Sequence, residues 1–131
     1  MSLDEKRLKH YFAVQYTRDG RKYPFLNCWG LIMDFYQTEF GITLDGYTEY
    51  EPKTMTGGYE QAVKEFIEVT SPQVGDVIAF FRNSGILYHV GVFTDPSHYL
   101  HCEWRHNCQI SALERTHERF KIYRHRSRYD H

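Results

Sequence analysis

The stretch Asn27-Cys28-Trp29-Gly30-Leu31-Ile32-Met33-Asp34-Phe35-Tyr36-Gln37-Thr38-Glu39-Phe40-Gly41 decides how this chain folds. Leu31, Ile32, Phe35, Tyr36 and Phe40 recur at three- and four-residue spacing, which marks the apolar stripe of a helix over 28–40. Asn27 suits the N-cap, because its short side chain can accept from a free amide of the first turn. Gly41 suits the left-handed stop at the other end. Cys28 therefore falls at a helix start, where backbone N–H groups lack partners inside the helix and the macrodipole is positive.

The rest of the chain sorts into helices first and strands afterwards. Residues 4–13 read as a short first helix. Residues 17–27 read as a loop, because Asp19-Gly20 and Pro24 interrupt regular structure. A long loop is expected over 41–57. A second amphipathic helix is expected over 59–68, with Tyr59, Ala62, Val63, Phe66 and Ile67 on one face. Val74 to Phe81 is nearly all apolar, as in a strand buried on both faces. Further strands are expected over 87–94, 99–104, 109–113 and 119–123, with a turn at Asp95-Pro96-Ser97. Phe120 and Ile122 are expected on the inner face of the last one. This order predicts an α+β fold, N-terminal helices packed on an antiparallel β-sheet, as one domain over 1–131.

Composition excludes several classes. The chain has 131 residues, enough for a core that needs neither disulfides nor metals. Its formal net charge is −1, so no basic field argues for nucleic acid. The basic run Arg124 to Arg128 reads as a solvated end. Three cysteines is an odd count, which does not suggest a disulfide framework, although Cys102 and Cys108 are close enough in sequence to bond. No run of about 18 apolar residues is present, so no membrane-spanning helix is expected. The first nine residues are charged and do not read as a signal peptide. No phosphate loop, paired-carboxylate motif or nucleotide fingerprint occurs, so no cofactor is expected.

What remains is a thiol and imidazoles. A cysteine hydrolase needs a thiolate, a base, a group to orient the base and donors for an oxyanion. The helix start at Cys28 lowers a thiol pKa and offers backbone donors. The bland alternative is that Cys28 is a small buried hydrophobe. His89 lies in the apolar run Tyr88-His89-Val90-Gly91-Val92-Phe93, with Val90 and Val92 facing the core. Gly91, on the same face as His89, is expected to leave open space beside the ring. If Thr94 pairs with His98 across the turn, Gly91 faces His101 and His89 faces Glu103. His101 then becomes a same-face diagonal neighbour of His89, able to orient it. A slip of one residue would separate the two rings. His98, His101, Cys102, His106 and Cys108 also crowd together. However, His101 and Cys102 point apart on a strand and the spacing fits no common zinc pattern, so no metal site is expected there. Cys102 reads as a core residue with Leu100 and Trp104.

Four motifs now stand in order: Asn27-Cys28-Trp29-Gly30-Leu31, Val74-Gly75-Asp76-Val77-Ile78-Ala79-Phe80-Phe81, His89-Val90-Gly91-Val92-Phe93 and Tyr99-Leu100-His101-Cys102. Together they resemble the NlpC-like cell-wall peptidases, a branch of the papain-like cysteine hydrolases, from about Tyr16 to Tyr123. The resemblance implies a papain-like fold and hydrolysis of an amide in the peptide stem of peptidoglycan. It implies Cys28 as nucleophile, His89 as base and His101 as the residue that orients the base. It implies Tyr16 as a substrate or oxyanion contact, with Tyr23 as the fallback, and places Trp29 where the family usually has Ser. Asn27 stands where the family has Asp. The Cys-Trp-Gly-Leu variant resembles phage-tail members. The implied partners are a peptidoglycan peptide and other tail proteins, with synthesis in the cytoplasm and action at the bacterial wall from a virion or tail. A docking module on the same fold, or another acyl-transfer enzyme, is the competing expectation.

Overall fold

The computed structural model describes residues 3–18, 20–44, 64–103 and 107–129. Helix α1 spans Glu5–Phe12, capped by the Asp4 side chain on the Arg7 amide. Three two-residue strands follow: β1 (Gln15–Tyr16), β2 (Arg21–Lys22) and β3 (Phe25–Leu26), in the order β1-β3-β2. Strands β2 and β3 occupy part of the 17–27 segment expected to be loop. Helix α2 spans Cys28–Phe40, as the periodicity requires. Asn27 Oδ1 accepts from the Gly30 amide at 2.8 Å, and Gly41 closes the helix at φ 66°. Both caps satisfy backbone groups that the helix leaves unpaired.

The second expected helix is corrected. Residues 59–63 lie outside the described residues, but Phe66–Val69 is a strand, β4. Its ladder to the last strand joins Phe66 to His125 and Val69 to Ile122. Tertiary pairing overrides the short helical spacing of Phe66 and Ile67. The expected loop over 41–57 is described only at 41–44. The remaining strands are β5 (Val77–Phe81), β6 (Leu87–Asp95), β7 (His98–Cys102), β8 (Cys108–Ala112) and β9 (Arg119–His125). They form one sheet in the order β4-β9-β5-β6-β7-β8, every pair antiparallel. Short 3₁₀ turns follow β8 and β9.

Two apolar layers flank this sheet. On one face Leu31, Ile32, Phe35 and Tyr36 of α2 pack with Val77, Ala79, Val90, Val92, Leu100 and Cys102. Trp104, expected beside them, lies outside the described residues. On the other face Ile78, Phe80, Phe93, Tyr99 and Ile122 form a separate cluster, with Phe120 and Leu113 against it. Phe120 and Ile122, expected on the inner face, pack in this second layer, on the side of the sheet away from α2, because β9 pairs Phe80 with Phe120 and Ile78 with Ile122. Each fully buried aliphatic or aromatic side chain here contributes about 1.5–3 kcal/mol.

The basic end is not merely solvated. Arg124 sets Nε 2.9 Å from Asp76 Oδ1 and Nη2 2.8 Å from Asp76 Oδ2, and it also donates to the Ser71 carbonyl. Asp76 is 1% exposed. Arg128 lies over the Phe40 ring at 3.6 Å from its centroid. The Gly75-Asp76 turn is held from the helix as well, since the Tyr36 hydroxyl donates to the Gly75 carbonyl. Arg124→Ala leaves the Asp76 carboxylate buried without its charge partner, so it should cost about 3–5 kcal/mol in urea unfolding. A loss below about 1 kcal/mol would show that the pair does not anchor β5 to β9.

Candidate active site

The hairpin from β6 to β7 places the imidazoles. Val92 pairs with Leu100 and Phe93 with Tyr99. The expected Thr94–His98 pairing is replaced by Asp95–His98, because a bulge falls between Phe93 and Asp95. Beyond the bulge the parity is the one the sequence reading needs. One step past Val92 and Leu100, the Cβ of His101 lies 3.2 Å from where a Cβ on Gly91 would stand. The space at Gly91 is therefore closed, not open: Leu100 O and Ile78 Cγ2 crowd the same point at 3.0 and 3.2 Å. Glycine here permits close strand approach.

His89 Nε2 and His101 Nδ1 are 2.8 Å apart. His101 Nε2 is 2.8 Å from Ser111 Oγ on β8, so one line of contacts runs across three strands. The Phe80 ring stacks on His89 at 5.5 Å between centroids. Glu103 Oε1 lies 3.3 Å from His101 Nδ1 and 3.6 Å from His89 Nε2. Burial, then the neighbouring His101 charge, pushes His89 down to a pKa of about 3. Burial also lowers His101, with Glu103 opposing that shift. Both rings are therefore neutral near pH 7. Because the Nε2 of His89 is engaged by His101, its Nδ1 is the nitrogen left to take a proton.

These rings line a cleft of about 570 Å³, together with Tyr88, Tyr99, Glu103, Ser111, Arg115 and Glu118. Tyr99 bonds Thr116 at 2.7 Å, which ties the 3₁₀ turn after β8 to the cleft wall. Ser111 could not be found from sequence, because its role depends on the β7–β8 pairing of His101 with Gln109 and Tyr99 with Ser111. The expected register sets Glu103 opposite His89, but nothing in the sequence marks a role for it.

The thiol lies at the start of α2. Cys28 is fully buried and packs in the core that α2 shares with Val90, Val92, Leu100 and Cys102. Strand side chains alternate between faces, so His89 and His101 project from the face opposite α2. Cys28 is not among the residues lining the cleft. The two histidines converge as the sequence reading requires, and Cys28 is fully buried, so its sulfur is covered and not solvent-reachable. The reason lies in the stripe. Cys28 precedes Leu31 and Ile32 by three and four residues, so it points down onto the sheet with them. The helix start nonetheless sits at the end of β7, where Cys102 Sγ contacts Leu26 O at 3.7 Å. Tyr16 and Trp29 are half-buried against the same core and also lie outside the cleft lining. Tyr23 stacks on His10 and donates to its carbonyl. Cys102 and Cys108 are Cα partners and free. Hydrogen bonding between them lowers the Cys102 thiol and raises that of Cys108.

The α+β fold with its strand-borne pair is papain-like, and the comparisons agree. A family model described as "NlpC/P60 family" matches residues 13–127. The chain belongs to the NlpC/P60 family. Among solved structures it is similar to the NlpC/p60 domain of the peptidoglycan hydrolase SagA, at 18% identity and TM-score 0.59, covering 89% of this chain and 92% of that one. It is also similar to NlpC2 from Trichomonas vaginalis, at 13% identity and TM-score 0.66, covering 92% and 43%. An NlpC/P60 family protein from Bacillus cereus matches at 17% identity and TM-score 0.63, covering 86% and 36%. The chain thus spans less than half the length of the latter two. No curated protein matches. Among the described residues no helix is long and apolar enough to cross a membrane.

The His89 shift sets a pH dependence. The folded pKa lies below the unfolded value of about 6.5, so the unfolded chain binds a proton that the native ring refuses. Stability from this group is full above pH ~6.5 and declines towards pH ~3, by about 1.4 kcal/mol per unit. Urea unfolding at several pH values should show a steeper acid loss for the wild type than for His89→Gln. Parallel profiles would show that His89 is not held neutral.

Proposed function

We propose that this chain hydrolyses an amide bond in the peptide stem of bacterial peptidoglycan. The observation that carries the reading is the His89–His101–Ser111 line in an open cleft, on the scaffold of a family to which the similar domain of the peptidoglycan hydrolase SagA also belongs. His89 serves as base and later as acid through Nδ1, a role worth about 10²–10⁴-fold in rate. His101 fixes its tautomer and orientation, and Ser111 fixes His101. Cys28 is the nucleophile, and backbone amides at the start of α2 hold the oxyanion, each such donor worth about 10²–10³-fold. Tyr16 and Trp29 contact substrate at that helix start. The reading has a physical demand: the Cys28 sulfur, covered at the start of α2, must reach Nδ1 of His89. The Cys-Trp-Gly-Leu motif further supports carriage of the enzyme on a phage or prophage tail to the wall.

The burial of Cys28 on the helix side favours a second reading, a non-catalytic tail-assembly module on the same fold. Mass spectrometry of muropeptides after incubation separates the two. Wild type should release shortened stems and Cys28→Ala none, while its Tm falls by only a few degrees. Equal digestion by both proteins would remove Cys28 from the chemistry. No digestion by either, with particle assembly intact, would establish the docking role.

A further inference from the structure

We propose that His89, His101 and Glu103 form a binding site for one tetrahedral divalent transition-metal ion, zinc being the best fit, and that the ion arrests the base. Binding itself is independent of the functional reading above; only the arrest rests on it. The three candidate ligand atoms are His89 Nε2, His101 Nδ1 and Glu103 Oε1, all within 4.8 Å of one another. Their separations are 2.8, 3.3 and 3.6 Å. Ligands at zinc–nitrogen and zinc–oxygen distances of about 2.0–2.2 Å in a tetrahedron stand roughly 3.3 Å apart. These separations bracket that spacing, so small rotations suffice.

The surroundings suit an ion. Two imidazoles and one carboxylate are ligands that zinc prefers, with the fourth position left to water. That position opens to the cleft, which the same three residues line. His101 Nε2 lies 2.8 Å from Ser111 Oγ, an outer partner of the kind that fixes a ligating histidine's tautomer. Glu103 is itself 41% exposed at its side chain, so it can turn onto an ion without unpacking the core. This ligand set differs from the Cys and His crowd at 98–108, of which only His101 takes part.

The proton balance gives the consequence. With the His101 proton on Nε2 towards Ser111, the proton between the rings belongs to His89 Nε2. The ion takes the lone pairs of His89 Nε2 and His101 Nδ1. The His89 proton then moves to Nδ1, with none gained or lost. Nδ1 is the nitrogen a thiol proton would need, so the loaded site has no base.

The test uses the metal-free full chain. Equilibrium dialysis against zinc, with a chromophoric chelator as competitor, should give one ion per chain. Glu103→Gln should weaken that affinity about tenfold or more, while Cys102→Ser with Cys108→Ser leaves it unchanged. The cobalt complex should show tetrahedral visible bands without a thiolate charge-transfer band. No binding, undiminished binding by Glu103→Gln, or a thiolate band would overturn the site. In the muropeptide assay, one equivalent of zinc should stop wild-type hydrolysis, and Glu103→Gln should need about tenfold more. Full activity of the zinc-loaded enzyme would overturn the arrest. A metal-free protein that cuts nothing would count against the hydrolase reading, while dialysis and the cobalt spectrum still decide the site.

Discussion

Everything at the site depends on the pairing of Val92 with Leu100 across the β6–β7 hairpin. That register puts Val90, Val92, Leu100 and Cys102 under α2 and sends His89, Gly91 and His101 to the other face. It also brings His89 Nε2 to 2.8 Å from His101 Nδ1. Two buried imidazoles without partners would each carry a desolvation cost of about 1–3 kcal/mol. Bonded to each other and to Ser111, they satisfy most of their polar atoms and stay neutral. The bulge before Asp95 matters because it absorbs the turn geometry without passing the shift on to the histidines.

The scaffold around the hairpin is stiff where the site needs it. Asp76 and Arg124 lock β5 to β9, and Tyr36 ties that corner to α2. Phe80 stacks on His89, and Tyr99 through Thr116 holds the far wall of the cleft. The helix start is held differently. Asn27 caps α2, its amide donates to the Arg18 carbonyl, and Cys28 packs beneath. The same stripe that makes α2 a stable helix therefore covers the sulfur. Stability of the helix start and exposure of its thiol oppose one another in this chain.

Much of this was legible from residues alone. The bounds of α2 and both caps follow from Asn27, the 31-32-35-36-40 stripe and Gly41. The β6–β7 pairing and the shared face of His89 and His101 follow from alternation and one turn. The failures have separate causes. Phe66 and Ile67 carry a spacing that fits a helix turn or a strand equally, and pairing with β9 decides it. Which layer receives Phe120 and Ile122 depends on their partners in β5, which no local pattern encodes. The room at Gly91 was misjudged because His101 itself fills it. Ser111 and the Arg124–Asp76 pair join residues 10 and 48 apart, contacts that only the folded sheet creates. The burial of Cys28 is one of the two alternatives that the sequence leaves open, because a helix start says that a thiol can be activated, not how far it is covered.

The imidazole pair is the central claim, and side-chain nitrogen-15 NMR of the histidines tests it most directly. At pH about 5, well below the usual imidazole value of about 6.5, the account predicts that His89 is still neutral, with its proton on Nε2 and that signal disturbed by Ser111→Ala through His101. A His89 that titrates near its ordinary pKa, with nitrogen shifts indifferent to Ser111, would contradict it.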